Sequence, residues 1–234
     1  MIINKIEYDI SKMNNLNYVL EKANEYVDKV GWARATESQK FIRHIQIFIA
    51  LKLKDFDIPD NDIRFETKLI GKKVDLCIFK DNIPFLVISL KSQSSSIKNN
   101  FTNTANALQG ETTSLKSIYP NLKTCSFILY KKNDVKLQED CTKYYKENIP
   151  TKILPLISSH FISPNKFDFG CVVLWEITDK IIEIEQEEHI FKEFGVDNFF
   201  QKIKELYENK NVKSQFTLKE FEHNLESFLN DDKI

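Results

Sequence analysis

The sequence predicts an α/β protein, a central mixed β-sheet flanked by helices, and three observations carry that expectation. Three β-prone runs follow one another at residues 63–69, 74–79 and 85–90, broken only by Gly71 and by the Asp81–Asn82 pair, all turn formers. The third run, FLVISL, is apolar apart from Ser89, which suits a strand covered on both faces. A helix-like stretch at 99–117 then leads to another apolar, β-prone run at 125–130. A strand–helix–strand unit of this kind makes its two strands parallel, with a right-handed crossover.

The other elements follow from periodicity and punctuation. Residues 13–29 read as a helix, with Leu16, Leu20, Ala23 and Val27 on one face and Gly31 as its stop. A second helix is expected over 36–53, capped by Thr36, with Phe41, Ile45 and Phe48 turned inward. Pro59, Asp60 and Asn61 mark a loop. Later runs predict strands at 152–157 and 171–177 and helices at 199–208 and 218–228. With only 5 Gly and 6 Pro there is no linker-like segment, so residues 1–234 are expected to form a single domain.

Composition narrows the classes of function. A hydrophobic share of 42% and a charged share of 29% fit a soluble globular chain. No apolar run approaches the roughly 20 residues of a membrane span. The polar start of the chain has no signal-peptide core, so a cytoplasmic location is expected. Cys77, Cys125 and Cys171 fall in apolar runs; with Cys141 they form no C-x-x-C pair and are expected to be reduced core residues. His44, His160, His189 and His223 show no zinc spacing. A phosphate-cradling glycine loop and a G-x-S-x-G elbow are both missing. Trp32 and Trp175 are expected in the core or an interface. The net charge of −1 excludes a protein that coats nucleic acid, yet a cleft can be locally positive. Lys91, Lys98, Lys116, Lys123, Lys131 and Lys132 cluster in the middle third, with Glu111 the one acid among them.

The chemistry-bearing stretch lies in residues 72–111. Asp75 falls on one strand and Lys91 ends the next, so adjacent strands can set them side by side. Phosphodiester hydrolysis needs such a pair. A carboxylate binds Mg²⁺, which neutralises the phosphate and acidifies a water, and a lysine stabilises the charge that develops.

Asp75, the hairpin and Ser89-Leu90-Lys91 resemble the motif of the PD-(D/E)XK nucleases, which pair an Asp on one strand with acid-x-Lys on the next. The likeness covers about residues 35–131 and departs from the pattern twice. Val74 stands where the family often has Pro, and Ser89 stands in place of the second acid. A serine is a poor ligand for a hard cation. The chain is similar here to restriction enzymes that carry Ser-x-Lys or Ser-x-Arg on the strand and move the carboxylate to the following helix. Glu111 is the one acid in that helix. At about 100° per residue it falls roughly 80° from the centre of the stripe formed by Phe101, Ala105, Leu108, Thr112 and Leu115.

The resemblance implies a type II restriction endonuclease with Asp75, Lys91 and Glu111 as catalytic residues. Asp75 and Glu111 would be the Mg²⁺ ligands, double-stranded DNA the substrate, and a homodimer the form that meets a palindromic site. Glu37, Glu66, Ser89 and Gln93 are further site candidates. Ser92, Ser94, Lys98, Asn99 and Asn100 are candidates for the DNA backbone. Residues 132–234 are then left for recognition and dimerisation. The rivals are a DNA-repair nuclease of the same fold and a DNA-binding module that does not cleave.

Overall fold

The computed structural model describes residues 2–4, 6–37, 40–69, 71–158, 166–179, 181–185 and 193–209. Their strands are β1 (Ile2–Ile3), β2 (Ile6–Glu7), β3 (Ile63–Leu69), β4 (Lys72–Lys80), β5 (Ile83–Gln93), β6 (Lys123–Lys131), β7 (Asn133–Asp134), β8 (Glu139–Asp140), β9 (Phe169–Thr178) and β10 (Ile181–Glu185). Their helices are α1 (Leu16–Val30), α2 (Trp32–Glu37), α3 (Lys40–Lys54), α4 (Ile97–Ile118), α5 (Thr142–Asn148), α6 (Leu154–Ile157) and α7 (Val196–Glu208).

The architecture is α/β with a mixed sheet of six strands in the order β10-β9-β6-β5-β4-β3. Strands β3, β4 and β5 form an antiparallel meander, β5, β6 and β9 run parallel, and β10 returns antiparallel along β9. The β4–β5 connection is a two-residue turn, Asp81 at φ +54° and Asn82 at φ +63°, both in the left-handed region that a tight hairpin requires. Gly71, at φ +74°, serves the β3–β4 turn.

The sheet is covered on both faces, as the apolar β5 run requires. Alternate residues such as Leu76, Ile88, Phe127 and Val173 face a core shared with α1, α3 and α7. Ile128, Tyr130, Val172 and Leu174 face the other core, with Phe101 and Leu108 of α4 and Tyr145 of α5. All four cysteines are free and buried. Trp175 is fully buried and Trp32 packs against it, with ring centroids 6.3 Å apart. No helix among the described residues is long and apolar enough to cross a membrane.

Two expectations are corrected. The run at 152–157 is not a strand. A π-helical turn, Ile149–Ile153, continues directly into α6. Ile149, Ile153 and Ile157 recur every four residues and are all fully buried, while Pro150 and Pro155 fall just after the points where the helix changes from α to π and back. Within the expected helix 36–53 the structure describes α3 over Lys40–Lys54, Thr36 falls on α2, and residues 38 and 39 lie outside the described residues. Gly31, at φ +81°, turns the chain straight into α2, whose Trp32 is drawn against Phe41 and Trp175. The strand expected at 171–177 is present within β9, and with β10 it completes the sheet. The helix expected at 218–228 and His160, His189 and His223 lie outside the described residues.

Candidate active site

The site forms where two central strands part. Strands β4 and β5 pair from Lys80/Ile83 to Leu76/Ile88 and no further, while β5 stays in register with β6 as far as Gln93. At the next step the Asp75 carboxylate takes the place of a ladder carbonyl: its Oδ2 accepts the Leu90 N–H at 2.8 Å. The Asp75 main-chain carbonyl accepts the side-chain amide of Gln46 on α3 at 3.1 Å. Both groups freed by the parting are therefore satisfied, and Asp75 is held from two sides.

Helix α4 crosses above this end of β5. Glu111 reaches down from it, and its Oε2 lies 2.9 Å from Lys91 Nζ. Both side chains are largely covered, with 21% and 28% of their surface exposed. Asn103, Ala107 and Glu111 are spaced by four, along one line of the helix. The first two line a cleft of about 410 Å³ with Asp75, Lys91, Ser92, Asn100, Thr104 and, from the other side, Ala35, Phe41 and Ile42.

Burial raises the pKa of the Asp75 carboxyl above its usual range. The Leu90 N–H and the Lys91 charge oppose this, while Glu111 and Glu66 add to the rise. Asp75 is thus a half-desolvated carboxylate among other carboxylates, a place where an added cation is stabilised. Asp75 and Glu111 offer hard oxygen donors, which suit Mg²⁺, an ion commonly bound by one or two carboxylates with waters and phosphate oxygens as its other ligands. Among the described residues no group of three or more His, Cys, Asp or Glu side chains stands assembled for a metal.

The other candidates divide. Ser92 and Asn100 line the cleft. Ser89 is fully buried, directly across from Ser126 on β6, and neither hydroxyl has a hydrogen-bond partner among the described residues. Gln93 is turned inward, its amide donating to the Ile97 carbonyl at 3.0 Å, and Ser94 is buried. Neither of these two faces the cleft. Lys98 is paired with Glu139, and Asn99 is exposed. Glu66 pairs with Arg43 and Lys73. Glu37 ends α2, and its side chain lies outside the described residues.

Sequence reading missed Gln46, Arg43, Asn103 and Thr104. The four-residue spacing of Asn103, Ala107 and Glu111 could have pointed to Asn103; a contact between α3 and β4 leaves no local signal. Comparison with protein-family models, with curated proteins and with solved structures found no match.

Proposed function

We propose that the chain is a Mg²⁺-dependent endonuclease of the PD-(D/E)XK kind, acting on double-stranded DNA as a type II restriction enzyme. The observation that carries the reading is the meeting of three groups at the parting of β4 and β5: the held Asp75 carboxylate, the Lys91 ammonium and the Glu111 carboxylate. The order of elements, an antiparallel three-strand meander followed by a helix and a parallel strand, agrees with it.

Asp75 and Glu111 would hold the cation. When bound, Mg²⁺ supplies charge neutralisation at the phosphate and a more acidic water. Lys91 places a positive charge where negative charge builds on the phosphoryl oxygens. The polar groups of Ser92, Asn100 and Asn103 donate to the non-bridging oxygens of the strand and fix its position. The small, buried Ser89 leaves the space above it to Glu111. We further assign the protein to the cytoplasm and its working form to a homodimer.

The test is plasmid cleavage. The purified protein with Mg²⁺ is expected to give discrete fragments, and EDTA to stop the reaction. Asp75→Ala and Lys91→Ala are each expected to abolish cleavage while leaving the fold intact. A smear would remove the restriction assignment and leave a nuclease without sequence preference. DNA binding with no cleavage in Mg²⁺ or Mn²⁺ would leave only the binding module.

A further inference from the structure

Glu66 stands in the middle of β3 at the slot across from Asp75, between the Phe65–Leu76 and Thr67–Val74 pairs. Its backbone is at φ +48°, a left-handed conformation in which glycine is unstrained and glutamate is not. A strained residue in mid-strand beside a candidate site points to a side chain that is needed there. That side chain is divided between two cations. Oε1 lies 3.2 Å from Arg43 Nη2 on α3, and Oε2 lies 2.8 Å from Lys73 Nζ on β4. The two cations together hold the Glu66 carboxyl below its usual range. Arg43 sits one turn before Gln46, the residue that grips the Asp75 carbonyl, so α3 reaches both Glu66 on β3 and Asp75 on β4.

One acid between two cations leaves one net positive charge. The side chains of Arg43 and Lys73 are 51% and 55% exposed, so donors of both still face solvent. A guanidinium fork beside an ammonium is the donor set that binds phosphate oxygens.

We propose that Arg43 and Lys73 form a phosphate-binding station for a DNA strand running past Asp75, with Glu66 as the counterion that occupies both until a phosphate competes for them. The proposal rests on the nuclease reading, since it specifies where the substrate's backbone lies. It adds a function for three residues outside the Asp75–Lys91–Glu111 group. It also gives the strained backbone of Glu66 a purpose.

The experiment is equilibrium binding of a fluorescein-labelled DNA duplex, followed by anisotropy in EDTA across a KCl series. No catalysis is involved. The parent chain is compared with Arg43→Gln/Lys73→Gln, with Glu66→Gln and with Lys204→Gln on α7 as a remote control. Each phosphate contact contributes about 0.9 to the slope of log K against log salt, so the double variant is expected to lose about 2 from that slope. Glu66→Gln keeps both cations and removes the competing charge. It is expected to tighten metal-free binding with the slope unchanged, and Lys204→Gln is expected to match the parent. A double variant with the parental slope overturns the station while leaving the nuclease reading intact. Weaker binding by Glu66→Gln overturns the counterion role. A parent chain that binds no duplex at all overturns both readings together.

Discussion

Asp75 concentrates the tension of the site in one carboxyl. Its pKa is raised, first by burial and then by Glu111 and Glu66. A carboxyl raised above its unfolded value contributes stability at pH below that value and loses it as pH climbs through the folded pKa. At neutral pH the charged Asp75 therefore destabilises the metal-free protein. Asp75→Asn keeps an oxygen for the Leu90 N–H and removes the charge, so it is expected to raise the metal-free melting temperature at pH 7. The same change should erase any rise in melting temperature that Mg²⁺ or Ca²⁺ gives the parent. An unchanged melting temperature, with the Mg²⁺ response retained, would move the cation elsewhere. His44 titrates in the opposite sense. It is fully buried, its Nε2 accepts the Asn4 amide at 3.1 Å, its Nδ1 faces the Tyr8 hydroxyl, and burial, then Arg43, lowers its pKa to about 4. The unfolded chain binds this proton at about 6.5, so stability present above that pH is lost as pH falls towards 4. At 1.36 kcal/mol per pKa unit, the loss is about 3 kcal/mol. Urea unfolding at pH 7 and pH 4.5 should show most of this difference, and His44→Gln should reduce it. Equal pH dependence in the two proteins would exclude His44 as its source.

At the scale of elements, α4 decides what the parted strands can do. Strand β5 carries Ser89, which offers no charge, and α4 returns a carboxylate to the same place through Glu111. Glu111→Gln keeps shape and helix propensity, so folding should be unaffected. Cleavage should fall by on the order of 100-fold or more, the scale seen when one charge-stabilising group leaves a preorganised site. Metal-free DNA affinity should hold or improve, because a negative charge has gone and Lys91 is released. Ser89 is fully buried, so Ser89→Glu is expected to find room only when Glu111 is shortened. The double change Ser89→Glu with Glu111→Ala is expected to regain part of the lost cleavage; normal cleavage by Glu111→Gln alone would remove Glu111 from the site. This much was legible in the sequence because two simple periods govern it. Alternation along strands puts Asp75, Ser89 and Lys91 in reach of one another, and the helical turn puts Glu111 on the shoulder of a buried stripe. Gln46 and Arg43 were not legible. Gln46 reaches a residue 29 positions away and Arg43 one 23 positions away, through a helix–sheet contact that no local pattern records.

Across the whole molecule, the same contrast separates what the chain announces from what only packing decides. The apolar β5 run predicted a sheet covered on both faces, and the 3.6-residue stripes predicted α1 and α4, because each pattern is imposed by one dominant burial surface. The segment at 149–157 misled because a short apolar run suits strand and helix alike; the four-residue spacing of its isoleucines settles it only once a second core is known to lie above β6 and β9. Size bears on mechanism too. Each copy, of 27.5 kDa, brings one Asp75–Lys91–Glu111 group, and a cut through both strands at a palindrome needs two such groups related by the two-fold axis of the DNA. The proposed enzyme should therefore sediment at twice 27.5 kDa under the conditions in which it cleaves. Supercoiled plasmid should pass to linear DNA without a build-up of nicked circles, since both sites act in one encounter. Refolding the parent chain with an excess of Asp75→Asn places nearly every parent subunit in a mixed dimer with one working site, and these should stop at nicked circles. If the mixed population still linearises plasmid at the parental rate, or the parent itself accumulates nicked circles as a monomer, each copy cuts alone and the two-fold arrangement is wrong.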